Sequence, residues 1–212
     1  MSPKEQYKEK FAANIIKNME KRQFEACYCA TKEEALAKVQ EYLSEPVSVT
    51  WGGSESFKEI GALDWVEKQE HLTVLDRYAP TTKEERAEYY SKAINADYFF
   101  MSANAITMDG QLVNIDGIGN RVSFLCFGPR NVLVVASLNK VAEDVDSAIF
   151  RVRNMATPPN AIRLDYGCPC GATGKCEDCL SPNCMCAQIV TTRFSRVPGR
   201  IKVILVGEEL GY

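Results

Sequence analysis

The sequence predicts an α/β fold, a mostly parallel sheet with helices on its faces. Three observations carry the prediction. Helical and strand-like segments alternate through the first hundred or so residues, the pattern of successive strand–helix–strand units. Helix-start signals stand where helices should begin: Thr31 followed by Glu34, and Thr81 with Glu84 or Thr82 with Glu85. Residues 132–136 (VLVVA) form an unbroken apolar run, as a strand buried on both faces requires. At 212 residues the chain can bury a core without staples and fits one domain spanning 1–212.

Each element follows from local pattern. Residues 4–22 are charged but place Phe11, Ile15, Ile16 and Met19 at helical spacing, an amphipathic helix. Residues 24–29 read as a short strand. The Thr31 cap opens a helix that Ala35, Leu36, Val39 and Leu43 carry to residue 44, and Pro46 ends it. Residues 47–50 form a strand, Trp51, Gly52, Gly53 and Ser54 turn the chain, and a brief helix closes at Gly61. Residues 72–75 are a further strand, followed by a helix to residue 95. Residues 97–102 read as a buried strand. Asp109-Gly110 makes a tight reversal, 111–116 returns, 117–120 turns again, and 122–127 is apolar. After the 132–136 strand a helix covers 141–155, stopped by Pro158 and Pro159. A cysteine-rich segment, 167–187, precedes two closing strands, 189–194 and 201–206, joined through a Pro198-Gly199 turn.

Charge and hydropathy exclude several classes of function. The formal net charge is −3 and the isoelectric point is near 5.4. No basic face or run stands out, which argues against nucleic acid as a partner. No stretch has the length and apolarity of a signal core or a membrane span, so the expected location is the cytoplasm. In that reducing compartment dense cysteines point to metal or redox chemistry rather than disulfides.

Six of the nine cysteines fall between Cys168 and Cys186. Cys176 and Cys179 have the two-residue spacing of a metal knuckle. Four thiolates close a tetrahedral zinc site or hold an iron–sulfur cluster, and a reduced loop that binds nothing fits the same composition. The pairs Cys168/Cys170 and Cys184/Cys186 offer alternative ligand sets. The single histidine, His71, lies far from the thiols and has no serine or cysteine pattern beside it, so a catalytic role is not expected of it.

Residues 102–121 (SANAITMDGQLVNIDGIGNR) are the second informative segment. A core region of strands should be apolar or alternating. This one carries Asn104, Thr107, Asp109, Asn114, Asp116, Asn120 and Arg121 around Gly110, Gly117 and Gly119. Buried polar groups must be paired, and a polar small molecule would pair them. Ordinary hairpin chemistry is the competing reading. Gly52, Gly53 and Ser54, between a strand and a helix start, offer free backbone N–H groups to an anion, or simply a turn with Ser54 as cap. Arg121 suits a ligand carboxylate or, equally, a pairing with Asp116 or Asp109, and Lys140, after the apolar strand, fits an anion contact or a solvated helix start. No Gly-x-Gly-x-x-Gly fingerprint follows the first strand, which argues against a self-contained NAD enzyme.

The middle segment together with Phe127-Gly128-Pro129, Asn139-Lys140 and the closing ILVGEELGY resembles the LUD domain family, the lactate-utilisation group, over nearly the whole chain. The resemblance implies a three-layer, Rossmann-like α/β fold of the NagB/RpiA/CoA-transferase kind, with a ligand cleft at the strand ends. It implies a small anionic ligand, a link to lactate oxidation, and iron–sulfur or oxidoreductase subunits as partners. It supplies no catalytic residue, so enzyme or accessory subunit stays open. Within it, Cys170, Cys176, Cys179 and Cys186 match a four-cysteine pattern with Pro169, Thr173, Gly174, Asp178, Ser181 and Pro182. That pattern makes those four the implied metal set and leaves Cys168 and Cys184 as additions.

Overall fold

A computed structural model describes all 212 residues. In chain order the elements are α1 (Pro3–Lys21), β1 (Glu25–Cys29), α2 (Lys32–Tyr42), β2 (Ser48–Trp51), α3 (Glu55–Glu59), α4 (Ala62–Val66) and β3 (Thr73–Val74). There follow α5 (Lys83–Ala93), β4 (Tyr98–Met101), β5 (Ala105–Thr107), β6 (Leu112–Asp116), α6 (Asn120–Cys126) and β7 (Asn131–Ser137). After a 3₁₀ turn, β8 (Val141–Ala142) leads to α7 (Val145–Arg151), a π turn (Val152–Ala156), α8 (Thr157–Leu164), α9 (Pro169–Thr173), β9 (Gln188–Thr192) and β10 (Ile201–Val206).

Six strands form one sheet in the order β1-β10-β7-β4-β2-β3, and every neighbouring pair is parallel. The alternation of side chains splits its residues between two cores. Val132, Val134 and Ala136 of β7 face a core with Ala12, Ile15 and Met19 of α1. Leu133 and Val135 face the opposite core with Ala35 and Val39 of α2 and with Phe57 of α3. Both faces of β7 are covered, so neither register of alternation can be polar, and the apolar run is the result. Helices therefore lie on both faces of a mainly parallel sheet, a three-layer α/β arrangement. No helix is long and apolar enough to cross a membrane.

The cap signals operate as side-chain hydrogen bonds. Ser2 opens α1 in a reciprocal box with Glu5. Thr31 accepts from the Glu34 N–H, but Glu34 reaches back to the Ala30 N–H, one residue earlier than a standard box. Of the two threonine boxes offered by the sequence, Thr82 with Glu85 caps α5, and Thr81 adds its own bonds to the same carboxylate.

Three features differ from the sequence expectation. The strands of 105–116 and 188–192 leave the main sheet and build a second one, ordered β8-β5-β6-β9. The apolar run after Gly119 is helical, as α6. The helix expected over 141–155 starts only after Asp144, which caps α7, and it is not stopped by Pro158 and Pro159. The π turn shifts the hydrogen-bond ladder, and the prolines fall in the first turn of α8, where their missing N–H groups need no partner.

Candidate functional site

In an open parallel sheet, ligands collect where neighbouring strands send their connections in opposite directions. Here that point lies between β2 and β4. From β2 the chain runs outward to the edge strand β3, and from β4 it runs inward towards β7. At the carboxyl end of β2, between that edge and helices α5 and α6, lies a cavity of about 250 Å³. Trp51, Tyr89, Tyr90, Phe99 and Phe124 give it aromatic walls, and Arg77, Arg86 and Arg121 give it positive charge. No carboxylate lines it.

Gly52 makes the cavity possible. Its N–H continues the strand ladder to the Phe100 carbonyl at 2.8 Å. A Cβ there would stand 2.9 Å from Arg121 Cγ and 3.1 Å from the Phe99 ring, so only glycine lets the arginine pass.

Arg121 is pinned from four sides. Its guanidinium donates to Asn104 Oδ1 and the Ile115 carbonyl, both at 2.7 Å, and to the Ser102 carbonyl and the Asp116 carboxylate, both at 3.3 Å. Burial lowers its pKa and the Asp116 charge opposes that shift. Most of its donors are committed within the protein. Arg77 and Arg86 make no hydrogen bond or ion pair to the protein; Arg77 lies 5.2 Å over the Tyr78 ring. The Trp51 indole N–H is buried without an acceptor. Two free cations thus meet at one aromatic cavity, and an anion with an apolar body suits them both.

Lys140 sits beside this arrangement. It is only 5% exposed. Its Nζ donates to Ser56 Oγ at 2.9 Å and to Ser102 Oγ at 3.2 Å. Burial, with Arg151 and Arg121 nearby, pushes its pKa down to about 7 against the opposing pull of Glu59. Ser102 joins the two groups: its carbonyl accepts from Arg121 and its hydroxyl from Lys140. Arg151 closes the far side by donating to the carbonyls of Asn104 and Asn139.

The residues singled out from sequence divide among several places. Gly52, Asn120 and Arg121 border the cavity, and Asn120 donates to the Tyr90 hydroxyl at 3.4 Å. Gly53 sits beneath Arg77, with a Cβ position 3.7 Å from its guanidinium. Ser54 caps α3 through the Phe57 N–H. Asn104 and Asp116 act on Arg121 rather than on the cavity. Thr107 and Asp109 belong to a turn that clamps α1. The Thr107 hydroxyl donates to Asp109, Asp109 pairs with Arg22, and Gly110 lies so close to Met19 that a Cβ would come within 2.8 Å of its backbone nitrogen. Asn114 is fully buried in β6, with neither side-chain polar atom partnered. A Cβ at Gly117 would stand 3.6 Å from the Cys184 carbonyl oxygen, and one at Gly119 3.5 Å from the Gln188 side chain at the start of β9. His71 places its Nε2 2.9 Å from the Leu43 carbonyl.

Arg77, Arg86 and the two tyrosines were missed by the sequence reading. Arg86, Tyr89 and Tyr90 stand three and four apart, one face of α5, and Arg77 follows an edge strand. That spacing was visible, but without the strand order nothing marked the face as a cavity wall.

All nine cysteines are free thiols. The six of the C-terminal segment border one small void, so the implied set Cys170, Cys176, Cys179 and Cys186 and the additions Cys168 and Cys184 share a single place. No three Cys, His, Asp or Glu side chains stand together at metal-holding geometry.

The fold is similar to the crystal structure of a DUF162 family protein from Deinococcus radiodurans, with a TM-score of 0.54 at 11% identity, covering 94% of this chain and 98% of that one. No curated protein matches the sequence. The LUD domain model matches residues 12–206, and the chain belongs to the LUD domain family.

Proposed function

We propose that the chain binds a small organic anion in the cavity at the end of β2, and that this anion is a hydroxy or oxo acid of lactate utilisation. The observation that carries the reading is the pair Arg77 and Arg86, unpartnered guanidiniums on an aromatic wall that includes Trp51. The volume, about 250 Å³, lies just under the usual range of roughly 300–1,000 Å³ for small-molecule sites. Arg121 shapes the floor, and Arg77 and Arg86 hold the carboxylate. If the ligand is oxidised, as lactate is when it becomes pyruvate, its two electrons and two protons pass to a separate carrier subunit. Lys140, near neutrality in its pKa, shares Ser102 with Arg121 and could exchange a proton beside the cavity.

Calorimetric titration with L-lactate, pyruvate and longer 2-hydroxy acids tests the reading. At least one should bind, and the double variant Arg77→Gln/Arg86→Gln should bind it about 10- to 100-fold more weakly, the loss expected for one or two charge-assisted hydrogen bonds. Failure of every acid to bind, or equal binding by the double variant, would overturn it.

A further inference from the structure

The void bordered by Cys168, Cys170, Cys176, Cys179, Cys184 and Cys186 measures about 20 Å³, room for about one small atom. Three stretches of chain deliver these thiols: the start of α9, the Cys176/Cys179 knuckle, and the pair before β9. Fourteen residues, 174–187, lie between α9 and β9 without any helix or strand. The core beneath them is only Ala161, Cys168 and Cys170, with Met185 packed against it. That is too little apolar burial to order a segment of this length, so something else must contribute.

The local backbone is arranged for thiolates. The Asp178 N–H donates to Cys176 Sγ and the Cys186 N–H to Cys184 Sγ, each at 3.4 Å. Such bonds, from the second residue after a cysteine, strengthen when the sulfur carries charge. Asp178 adopts a left-handed conformation, φ +49°, which aspartate tolerates better than most residues. The π turn supplies a second, independent feature. It presents Arg153 to the thiols, and Thr157 follows immediately after it. Arg153 Nε is buried without a partner, while the far end of the guanidinium pairs with Asp178. The Arg153 side chain is 29% exposed, and its positive charge beside several thiols suits an anionic metal–thiolate centre. The Thr157 hydroxyl accepts from Cys186 Sγ at 3.6 Å.

We infer that the six thiols form a site for one thiophilic metal ion of the zinc class, which orders residues 174–187. Cys176 and Cys179 bind as a chelating pair, with one sulfur from each flanking pair completing four. The metal forms four bonds to sulfur, each ligand gives up its S–H proton to solvent, and no electron is transferred. The sulfurs reach the ion by rotation about their side-chain bonds, since no three already stand at metal-holding geometry.

Protein purified under reduction should carry one equivalent of zinc by mass spectrometry of the metal. Cobalt exchanged into it should give the absorption of a tetrahedral thiolate centre. Cys176→Ser/Cys179→Ser should drop occupancy to about a tenth or less, while Cys27→Ser/Cys29→Ser keeps it, as expected for loss of two of four ligands. Chelation of the wild type should speed trypsin cleavage after exposed Lys175. Iron with acid-labile sulfide would overturn the single-ion assignment, and metal-free protein, or occupancy unchanged in the Cys176/Cys179 variant, would overturn the site. These readouts involve no organic acid, so they stand or fall separately from the anion cavity.

Discussion

The cavity at the end of β2 and the thiol void are built on opposite principles. The first rests on strands whose two faces fill the two large cores. Arg121 in its wall is held by four acceptors and Lys140 beside it by two serines before any ligand arrives, while Arg77 and Arg86 are left free. The second rests on a core of three residues and a segment without regular structure. Folding fixes the first site, whereas the second has little apolar burial of its own to fix it. The comparison teaches where each kind of residue acts. A substitution in the first should register in global stability, and one in the second should register in local order and metal content.

The sharpest way to break that contrast is to remove one group from each region. Arg121→Ala leaves Asp116 and Asn104 buried around a missing partner, and breaking a buried ion pair from one side costs about 3–5 kcal/mol. Arg121 and Asp116 side chains are 12% and 11% exposed, so water gives little relief. Cys176→Ser, in metal-free protein, should stay within about 0.5 kcal/mol, as peripheral substitutions do. Urea denaturation of both variants measures this. Equal losses would mean that the cysteine segment belongs to the same cooperative unit as the sheet.

The sequence made some of this legible. Capping threonines, the 132–136 run and the polar middle segment announced the helices, the central strand and the presence of something unusual near the strand ends. The reason the polar segment does several jobs was not legible. Thr107 and Asp109 serve the clamp on α1, Asn104 and Asp116 face Arg121, Gly117 lies by Cys184 and Gly119 by Gln188, because the second sheet folds these neighbours in sequence towards different partners. Ser56 carried no motif, and Ser102 only opened the polar segment with nothing to mark its role. They matter because β2 and β4 end side by side and bring both hydroxyls to one amine. Pro158 and Pro159 misled because a π turn, which leaves no composition signal, supplied them with a helix start.

A smaller effect tests how firmly folding fixes Lys140. Its folded pKa, about 7, lies below the unfolded value of about 10.5. Between those values the unfolded chain binds a proton that the folded chain does not, so stability rises with pH through that window. Below pH 7 both states are protonated and the burial cost is borne in full. The rise should amount to about 2–4 kcal/mol between pH 7 and 10, and Lys140→Met, which cannot titrate, should flatten it. Stability measured by urea unfolding across this range decides the matter. A wild-type profile already flat would show that Lys140 is solvated and that its hydroxyl partners are not what hold it.

The smallest expected effect separates scaffold from site within the polar segment itself. Asp109 carries much the same sequence signal as Asp116, yet it serves the clamp on α1. Desolvation raises its pKa, but hydrogen bonds from Thr107 and Gln111 and the Arg22 charge outweigh it and hold the carboxyl below its ordinary range. A depressed folded pKa means that stabilisation is present at neutral pH and is lost as pH falls through that depressed value. Asp109 is 55% exposed, so the pair with Arg22 is largely screened. Asp109→Asn should therefore cost only about 0.5–1 kcal/mol at pH 7, and the difference from wild type should fade in acid. Its affinity for any organic acid bound at the cavity should match the wild type, because the clamp on α1 and the cavity share no side chain. A tenfold loss of affinity with unchanged stability would instead place Asp109 in the binding site and return the polar segment to a single role.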